Sequence, residues 1–305
     1  MLRLLGRHAR WALPAGVFIG IAVPPLAALL RPLLTLAVIG TITGALLRLD
    51  WSRLLVQSAR HRLLASLIAW QLLISPPLVW LLAAMLGLRA DLGLVLVLQA
   101  AAPPIGSAAV FAMILGLDGS LALLGALCST LLLPFTLTPL VGLLLPGAGI
   151  EVDLAAFFVR VSLIVVAPFV IAWTLRRVIG TQRLRDNDEL LAGCNVLLLV
   201  VFAIAVMHGV TDKLFADPAY IGLLLLLACV AAVVLHAAGY LLFRRVDLQA
   251  AWSASLLSGN RNMGLMLAVT AGTAGEAFSL YVGIAQIPMY FAPLLLGPLV
   301  RRKAS

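Results

Sequence analysis

Charged residues are scarce in this chain, and the few that occur are distributed unevenly. Only 11% of the 305 residues are charged, whereas 63% are hydrophobic and the mean hydropathy is +1.14. This balance excludes an ordinary soluble domain and predicts an integral membrane protein. The net charge of +9 does not call for a nucleic-acid partner, because membrane topology and the anionic inner leaflet account for it.

Carboxylates are missing from the apolar segments. All twelve acidic residues fall in predicted loops or at the ends of predicted spans, so no carboxylate is available at bilayer depth to bind Na⁺ or carry a proton. An intramembrane enzyme would need paired aspartates, a serine with a histidine, or a metal-binding histidine cluster, and none has the expected companions. We therefore expect neither an enzyme nor a cofactor.

Cysteine is also rare. The three cysteines, Cys128, Cys194 and Cys229, all fall within apolar segments, where a small buried residue is the ordinary interpretation. Their placement does not suggest a disulfide framework.

Apolar segments of about 20 residues are long enough to cross a membrane as helices. The sequence contains ten of them, so the predicted fold is an all-α integral membrane protein with ten transmembrane helices. Arg31-Pro32 is the only punctuation between the first two. We place the spans at 12–30, 32–48, 63–87, 92–117, 119–145, 154–175, 190–208, 219–243, 248–272 and 277–299.

Basic residues test this count independently. If the N-terminus is cytoplasmic, 16 arginines and lysines lie in cytoplasmic tails and loops, and only Arg31, Arg89 and Lys213 lie on the other side. That asymmetry follows the positive-inside rule and places both termini in the cytoplasm. The expected location is the plasma membrane, as a multi-pass protein of a bacterial inner membrane.

Two predicted spans contain polar or helix-breaking stretches, at Pro103–Ser107 and Ser258–Gly264. Pro104 precedes Ser258 by 154 residues, and at the same offset Pro134 falls on Pro288 and Pro139 on Pro293. This repetition predicts two structural repeats, residues 1–149 and 150–305, each with a broken helix. Because five spans per repeat is an odd number, the repeats must be inverted, which suits alternating access around a central site.

A helix that restarts inside the membrane presents unpaired N–H groups and the positive end of its dipole. Two such ends, after Gly106 and after Gly259, are expected to meet near the centre, and Arg261 adds a full charge there. The sequence leaves two interpretations open: Arg261 serves substrate or coupling, or it bonds carbonyls left unpaired by the break. The predicted substrate-binding residues are Arg261, Asn260, Asn262, Ser258, Gly259, Pro104, Gly106 and Ser107.

Two further ionisable residues lie at membrane depth. Arg160 is expected to snorkel or to pair with a carbonyl, and His236 is expected to be a hydrogen-bonded core histidine rather than a proton carrier.

Several motifs resemble the bile acid:sodium symporter family of ten-span carriers. They are VPPLAALLRP and GALLRLD near the start, QLLISPPLVW in the third span, APPIGSAAV followed by CSTLLLPFTLTPL, and SGNRNMGLMLAV in the ninth. The resemblance implies a panel domain and a core domain, with broken helices 4 and 9 crossing in the core. It also implies that sodium and an anionic organic substrate bind near that crossing.

The resemblance carries over to some residues and not to others. Gln71 and Thr130 match family positions that contribute to sodium binding, and Asn262 and Gly264 match the ninth-span break. The family's serine–asparagine pair falls on Ala108-Ala109, and its break glutamine falls on Arg261. The glutamate that serves both of its sodium sites falls on Leu257. An arginine one turn from the missing carboxylate makes a cation site unfavourable, so these changes argue against sodium coupling.

We therefore predict a secondary transporter of a small organic anion in which Arg261 takes the place of a bound cation. A sodium-coupled symporter that uses Gln71, Thr130 and backbone ligands is one alternative. A membrane ligand sensor that does not transport is another. The expected partners are the organic anion and the lipid bilayer.

Overall fold

The computed structural model describes residues 9–48, 60–106, 108, 112, 115–144, 153–270 and 274–304. Within these ranges the chain is helical, and the sole β-type pairing is an isolated bridge between Pro104 and Arg261. Seven of the helical segments are long and apolar enough to cross a membrane. The prediction of an all-α membrane protein is thereby confirmed.

The described residues of the first half of the chain form seven α-helices. Pro24–Leu30 and Leu34–Leu47 are joined by a 3₁₀ turn at Arg31–Leu33, and His61–Ala69 and Ser75–Met85 by a π-helical segment at Trp70–Ile74. In order, the helices are α1 Ala9–Ala22, α2 Pro24–Leu30, α3 Leu34–Leu47, α4 His61–Ala69, α5 Ser75–Met85, α6 Ala90–Ala101 and α7 Gly119–Leu144.

From residue 153 onward, the part of the chain that the structure describes contains eight α-helices, of which four exceed 17 residues. They are α8 Leu154–Ile179, α9 Thr181–Asp186, α10 Asp188–Ala205, α11 Val210–Ala216, α12 Pro218–Phe243, α13 Leu248–Gly259, α14 Met263–Val269 and α15 Gly275–Ala304.

The N-terminal segment differs from the sequence-based expectation. We placed a boundary between two spans at Arg31-Pro32, but the helix continues through this point as a 3₁₀ turn, and Pro24 to Leu47 form one span-length segment. The helical path is interrupted instead at Val23, whose backbone is not helical (φ −127°, ψ 71°). The reason is local: Pro24 and Pro25 suit the first turn of a new helix, where a missing N–H costs nothing.

The two predicted breaks pair with each other. Helix α6 ends at Ala101 and α13 at Gly259, and the residues that follow form a short antiparallel bridge. The amide of Ile105 donates to the carbonyl of Asn260 at 2.9 Å, and the amide of Asn262 donates to the carbonyl of Pro103 at 2.7 Å. Backbone groups left without helical partners by one break are thus satisfied by the other, as burial in an apolar medium requires.

Helix α12 fixes the end of α13 by close packing. A Cβ atom on Gly259 would lie 1.7 Å from Nδ1 of His236, and a Cβ on Gly239 would lie 2.5 Å from Oγ of Ser258. Both glycines therefore permit a backbone approach that no larger residue allows. From Ala250 to Gly259, every residue of α13 is buried.

We expect Gly259→Ala to lower the thermal stability of the purified protein, because its methyl group would occupy the position of the His236 ring. Overpacking of this kind costs about 1–3 kcal/mol or more. The matched control is Gly222→Ala on α12, where nothing lies within 4 Å of the new Cβ. A helical glycine-to-alanine change gains about 0.5–1 kcal/mol, so this variant should melt at or above the wild-type temperature. Equal melting temperatures for the two variants would contradict the close approach.

Candidate functional site

Arg261 forms the centre of the crossing between the two breaks. Its Nε donates to the carbonyl of Ser258 at 2.7 Å, and Nη1 donates to the carbonyls of Ala102 at 2.8 Å and Gln71 at 3.3 Å. Its Nη2 donates to Oγ of Ser75 at 3.2 Å. One guanidinium group therefore links the segment His61–Met85 to the first break and to the second break.

These three carbonyls are available because the helices around them are interrupted. In a regular helix the carbonyl of Ser258 would accept from the amide of Asn262, but that amide bonds to Pro103 across the bridge. The carbonyl of Ala102 lies directly after the end of α6. Each interruption thus leaves one acceptor that needs an external donor.

The third acceptor arises from the π-helical segment. The amide of Ser75 bonds to the carbonyl of Trp70 rather than to that of Gln71. The next residue along the chain is Pro76, which has no N–H to offer. The carbonyl of Gln71 is therefore left to Arg261 and to the hydroxyl of Ser75, which donates to it at 3.0 Å. The short π-helical segment is a feature often found at functional sites.

The charge of Arg261 is buried. The residue is 1% exposed, and the ion pairs among the described residues, Arg48–Asp188, Arg60–Asp247 and Arg89–Asp91, do not include it. Its partners in the described part of the chain are neutral oxygens. A buried charge held only by neutral groups is costly and leaves a positive potential at the crossing.

A second polar pair lies beside Arg261. His236 is buried on α12, and its Nδ1 lies 2.7 Å from the carbonyl of Ala232. Because a carbonyl only accepts, Nδ1 carries the proton, and Nε2 accepts from Nδ2 of Asn260 at 3.3 Å. Both ring nitrogens are used by a neutral imidazole, in agreement with the expectation of a core histidine.

Gln71 and Thr130, the two residues matched to the family's sodium positions, both make hydrogen bonds within the protein. Oε1 of Gln71 accepts from Oγ of Ser129 at 2.9 Å, and the hydroxyl of Thr130 donates to the carbonyl of Ala126 at 2.7 Å. Nε2 of Gln71 and Oδ1 of Asn260 are buried without a hydrogen-bond partner among the described residues. These two atoms are buried polar groups beside the crossing whose hydrogen-bonding capacity is not used by the described residues.

A small cavity borders the crossing. Its volume of about 10 Å³ is close to that needed for one water molecule, so the site is closed to anything larger in this conformation. Two polar side chains reach it: Arg261 at the second break and Gln99 on α6, whose Oε1 accepts from the buried hydroxyl of Tyr281. The rest of the lining comprises Ala232, Gly259, Met263, Ala285, Pro288 and Met289.

Most of the predicted substrate-binding residues meet at this crossing. Ser258, Asn260 and Arg261 are buried there, and Pro104 pairs directly with Arg261. Asn262 caps α14, since its Oδ1 accepts from the amide of Leu265 at 3.0 Å. Gly259 lies against His236, and Gly106 follows the bridge. Ser107 lies outside the described residues.

Arg160 does not join the crossing. Its Nη2 donates to the carbonyl of Ala268 at 3.3 Å, near the C-terminal end of α14. Pairing with a carbonyl was one of the two roles expected for it.

Sequence reasoning missed Ser75, Ala102 and Trp70 as parts of the site. Ser75 bonds Arg261, Ala102 supplies a carbonyl, and Nε1 of Trp70 donates to Oγ of Ser258 at 2.8 Å. One sequence signal indicates unpaired acceptors in this part of the chain, though not Ser75 itself: the Pro76-Pro77 pair removes two consecutive amide donors and so predicts unpaired carbonyls about one turn earlier.

The fold and the site define a class first: a multi-pass membrane protein with two broken helices joined at a buried charge. A family model narrows this class. Residues 35–242 match the sodium bile acid symporter family, and the chain belongs to that family. The match includes the first break and ends before the second, so Leu257 and Arg261 lie beyond it. No curated protein matches the chain.

We expect Arg261→Ala to destabilise the protein, because three carbonyls and one hydroxyl lose a donor. An unpaired buried acceptor costs about 1–3 kcal/mol. Thermal unfolding in detergent measures the loss, and Arg89→Ala, at an exposed ion pair, is the control.

Millimolar guanidinium should raise the melting temperature of Arg261→Ala but not that of the wild type, and tetramethylammonium should have no effect. If guanidinium does not raise the melting temperature of Arg261→Ala, the four oxygen acceptors do not keep their positions once the arginine side chain is removed.

Proposed function

We propose that this protein is a secondary transporter that moves a small organic anion by alternating access. The observation that carries the proposal is the buried guanidinium of Arg261, which has only neutral oxygen partners among the described residues. Charged groups are rarely buried unless they are paired. An anionic substrate supplies the missing negative charge.

The substrate's anionic group approaches Arg261 through the small cavity at the crossing. This cavity is bordered by the guanidinium and by Gln99, and its other walls are apolar or small. Opening of the crossing toward either face of the membrane would enlarge the cavity around the charge. Because the surroundings exclude water, the attraction between guanidinium and anion is stronger there than at the protein surface.

Arg261 also takes the place of a coupling cation. In carriers with unwound helices, backbone carbonyls at the break coordinate Na⁺. Here the carbonyls of Ser258, Ala102 and Gln71 and the hydroxyl of Ser75 are occupied by the guanidinium. With Leu257 in place of the carboxylate, a sodium ion would meet a fixed positive charge and no compensating negative one. Transport in this proposal does not require Na⁺.

The alternating-access part of the proposal rests on a ten-span arrangement of two inverted repeats, residues 1–149 and 150–305. Seven segments are span-length helices. Ten spans require three more. The proposal assigns them to α1, to α6 together with the chain beyond the first break, and to α13 together with α14. Helices α7 and α15 support the repeat: each is continuous and contains prolines at the 154-residue offset, Pro134 and Pro139 in α7 and Pro288 and Pro293 in α15.

Both alternatives receive less support. A sodium-coupled symporter would use Gln71, Thr130 and backbone oxygens as ligands, but Oε1 of Gln71 already accepts from Ser129, and the carbonyls of Gln71 and Ala102 already accept from Arg261. The hydroxyl of Thr130 donates to Ala126 and keeps its lone pairs, but a cation there would lie near the fixed charge of Arg261. A ligand sensor would use the same crossing, and the distinction lies in flux: a sensor binds the anion without moving it across the membrane.

The test is thermal stabilisation and liposome uptake across a panel of small carboxylates and sulfonates, with Na⁺ or choline at equal ionic strength. We expect at least one anion to stabilise the protein to the same extent in both salts and to enter proteoliposomes. Arg261→Gln should lower the affinity for that anion at least tenfold, whereas Arg89→Gln should leave it unchanged. Normal affinity in Arg261→Gln would refute the anion site. Stabilisation by Na⁺ alone would instead favour the symporter, and binding without uptake the sensor.

A further inference from the structure

A groove that shares no lining residue with the cavity at the crossing lies at one end of the spans. It forms between the C-terminal end of α3 and the last three turns of α8, and its volume of about 580 Å³ falls within the range of small-molecule sites. Its described lining is apolar except for one arginine and consists of Leu46, Phe169, Val170, Ala172, Trp173 and Arg176.

The groove has a buried floor and an exposed opening. Leu46 and Ala172 are buried in a hydrophobic cluster that also includes Leu184, so the floor is fixed by packing. Val170 and Trp173 are 53% and 57% exposed on the outer side of α8. In a spanning helix such exposed apolar residues face the acyl chains of lipids, so the groove opens toward lipid.

Arg176 and Arg177 lie near the groove in the last turn of α8. Nη2 of Arg176 donates to the carbonyls of Leu46 and Leu47 at 2.9 Å each, which ties α8 to the end of α3. The guanidinium of Arg177 is exposed and lies over the Trp173 ring, 4.3 Å from its centroid. This cation–π contact holds a positive charge beside a residue that lines the groove.

We propose that this groove binds an anionic glycerophospholipid, with an acyl chain against Phe169 and Trp173 and the headgroup phosphate at Arg177. Basic pockets between spanning helices on the cytoplasmic side are suited to anionic headgroups, and tryptophan favours the same interfacial depth. The distribution of arginines in the sequence places this end at the cytoplasmic leaflet, which is anionic. The site is separate from the crossing, so the proposal does not depend on the substrate.

The test uses tryptophan quenching by lipids brominated near the headgroup end of the acyl chain. The wild type and Trp173→Phe are reconstituted in phosphatidylcholine bilayers that contain increasing mole fractions of either brominated phosphatidylglycerol or brominated phosphatidylcholine. The difference in emission between the two proteins reports Trp173. We expect the phosphatidylglycerol probe to quench this component at about fivefold lower mole fraction, the ratio that about 1 kcal/mol for one arginine at an anionic surface gives.

Charge variants decide whether Arg177 is responsible. Arg177→Gln should make the two probes equal, and Arg177→Lys should retain the preference because it keeps the charge. Arg244→Gln is the matched control, since Arg244 is an exposed arginine at the end of α12, outside the groove lining. Equal quenching by both probes in the wild type would mean ordinary lipid contact and would overturn the proposal. No quenching of Trp173 by either probe would mean that lipid does not enter the groove, and would overturn it as well.

Discussion

The hydrogen bonds from Arg261 to unpaired carbonyls are the interaction on which the centre of this protein depends. Two helices end inside the bundle and a third contains a π-helical segment, so three carbonyls lose their helical partners. An apolar environment offers no water to replace those partners. A guanidinium has five N–H groups in a planar fork, and this geometry lets one side chain satisfy acceptors from three directions. Lysine, with one compact ammonium, would not reach them together.

The same bonds create an electrostatic imbalance. They satisfy the hydrogen-bonding capacity of the carbonyls, but carbonyl dipoles do not neutralise a full charge. The protein thus contains a buried positive charge whose hydrogen bonds are satisfied but whose charge is not neutralised by its described partners. Structure and proposed function are linked at this point: the residue that holds the broken helices together is also the one that we propose binds the anion.

Much of this arrangement was predictable from sequence because its causes are local. Apolar length and arginine asymmetry predicted a multi-pass helical protein, and prolines and glycines located both breaks. The pairing of Pro104 with Arg261 confirms that the breaks meet. The roles of Ser75 and Ala102 were not predictable, because they depend on which carbonyls face Arg261 after three segments have packed. The boundary at Arg31-Pro32 was wrong, since a proline in the first turn of a helical segment need not end the segment before it.

Pro76 and Pro77 have a further consequence for the π-helical segment at Trp70–Ile74. A π-bulge can travel along a helix by exchanging hydrogen bonds with the next residues, and this exchange requires amide donors ahead of it. The two prolines provide none, so the bulge cannot migrate toward α5. On that side, the carbonyl of Gln71 is held at one register by covalent structure. In the proposed transport cycle, a movement of the segment His61–Met85 could not release this acceptor by shifting the bulge toward α5, so the bond from Arg261 would either move with the segment or break.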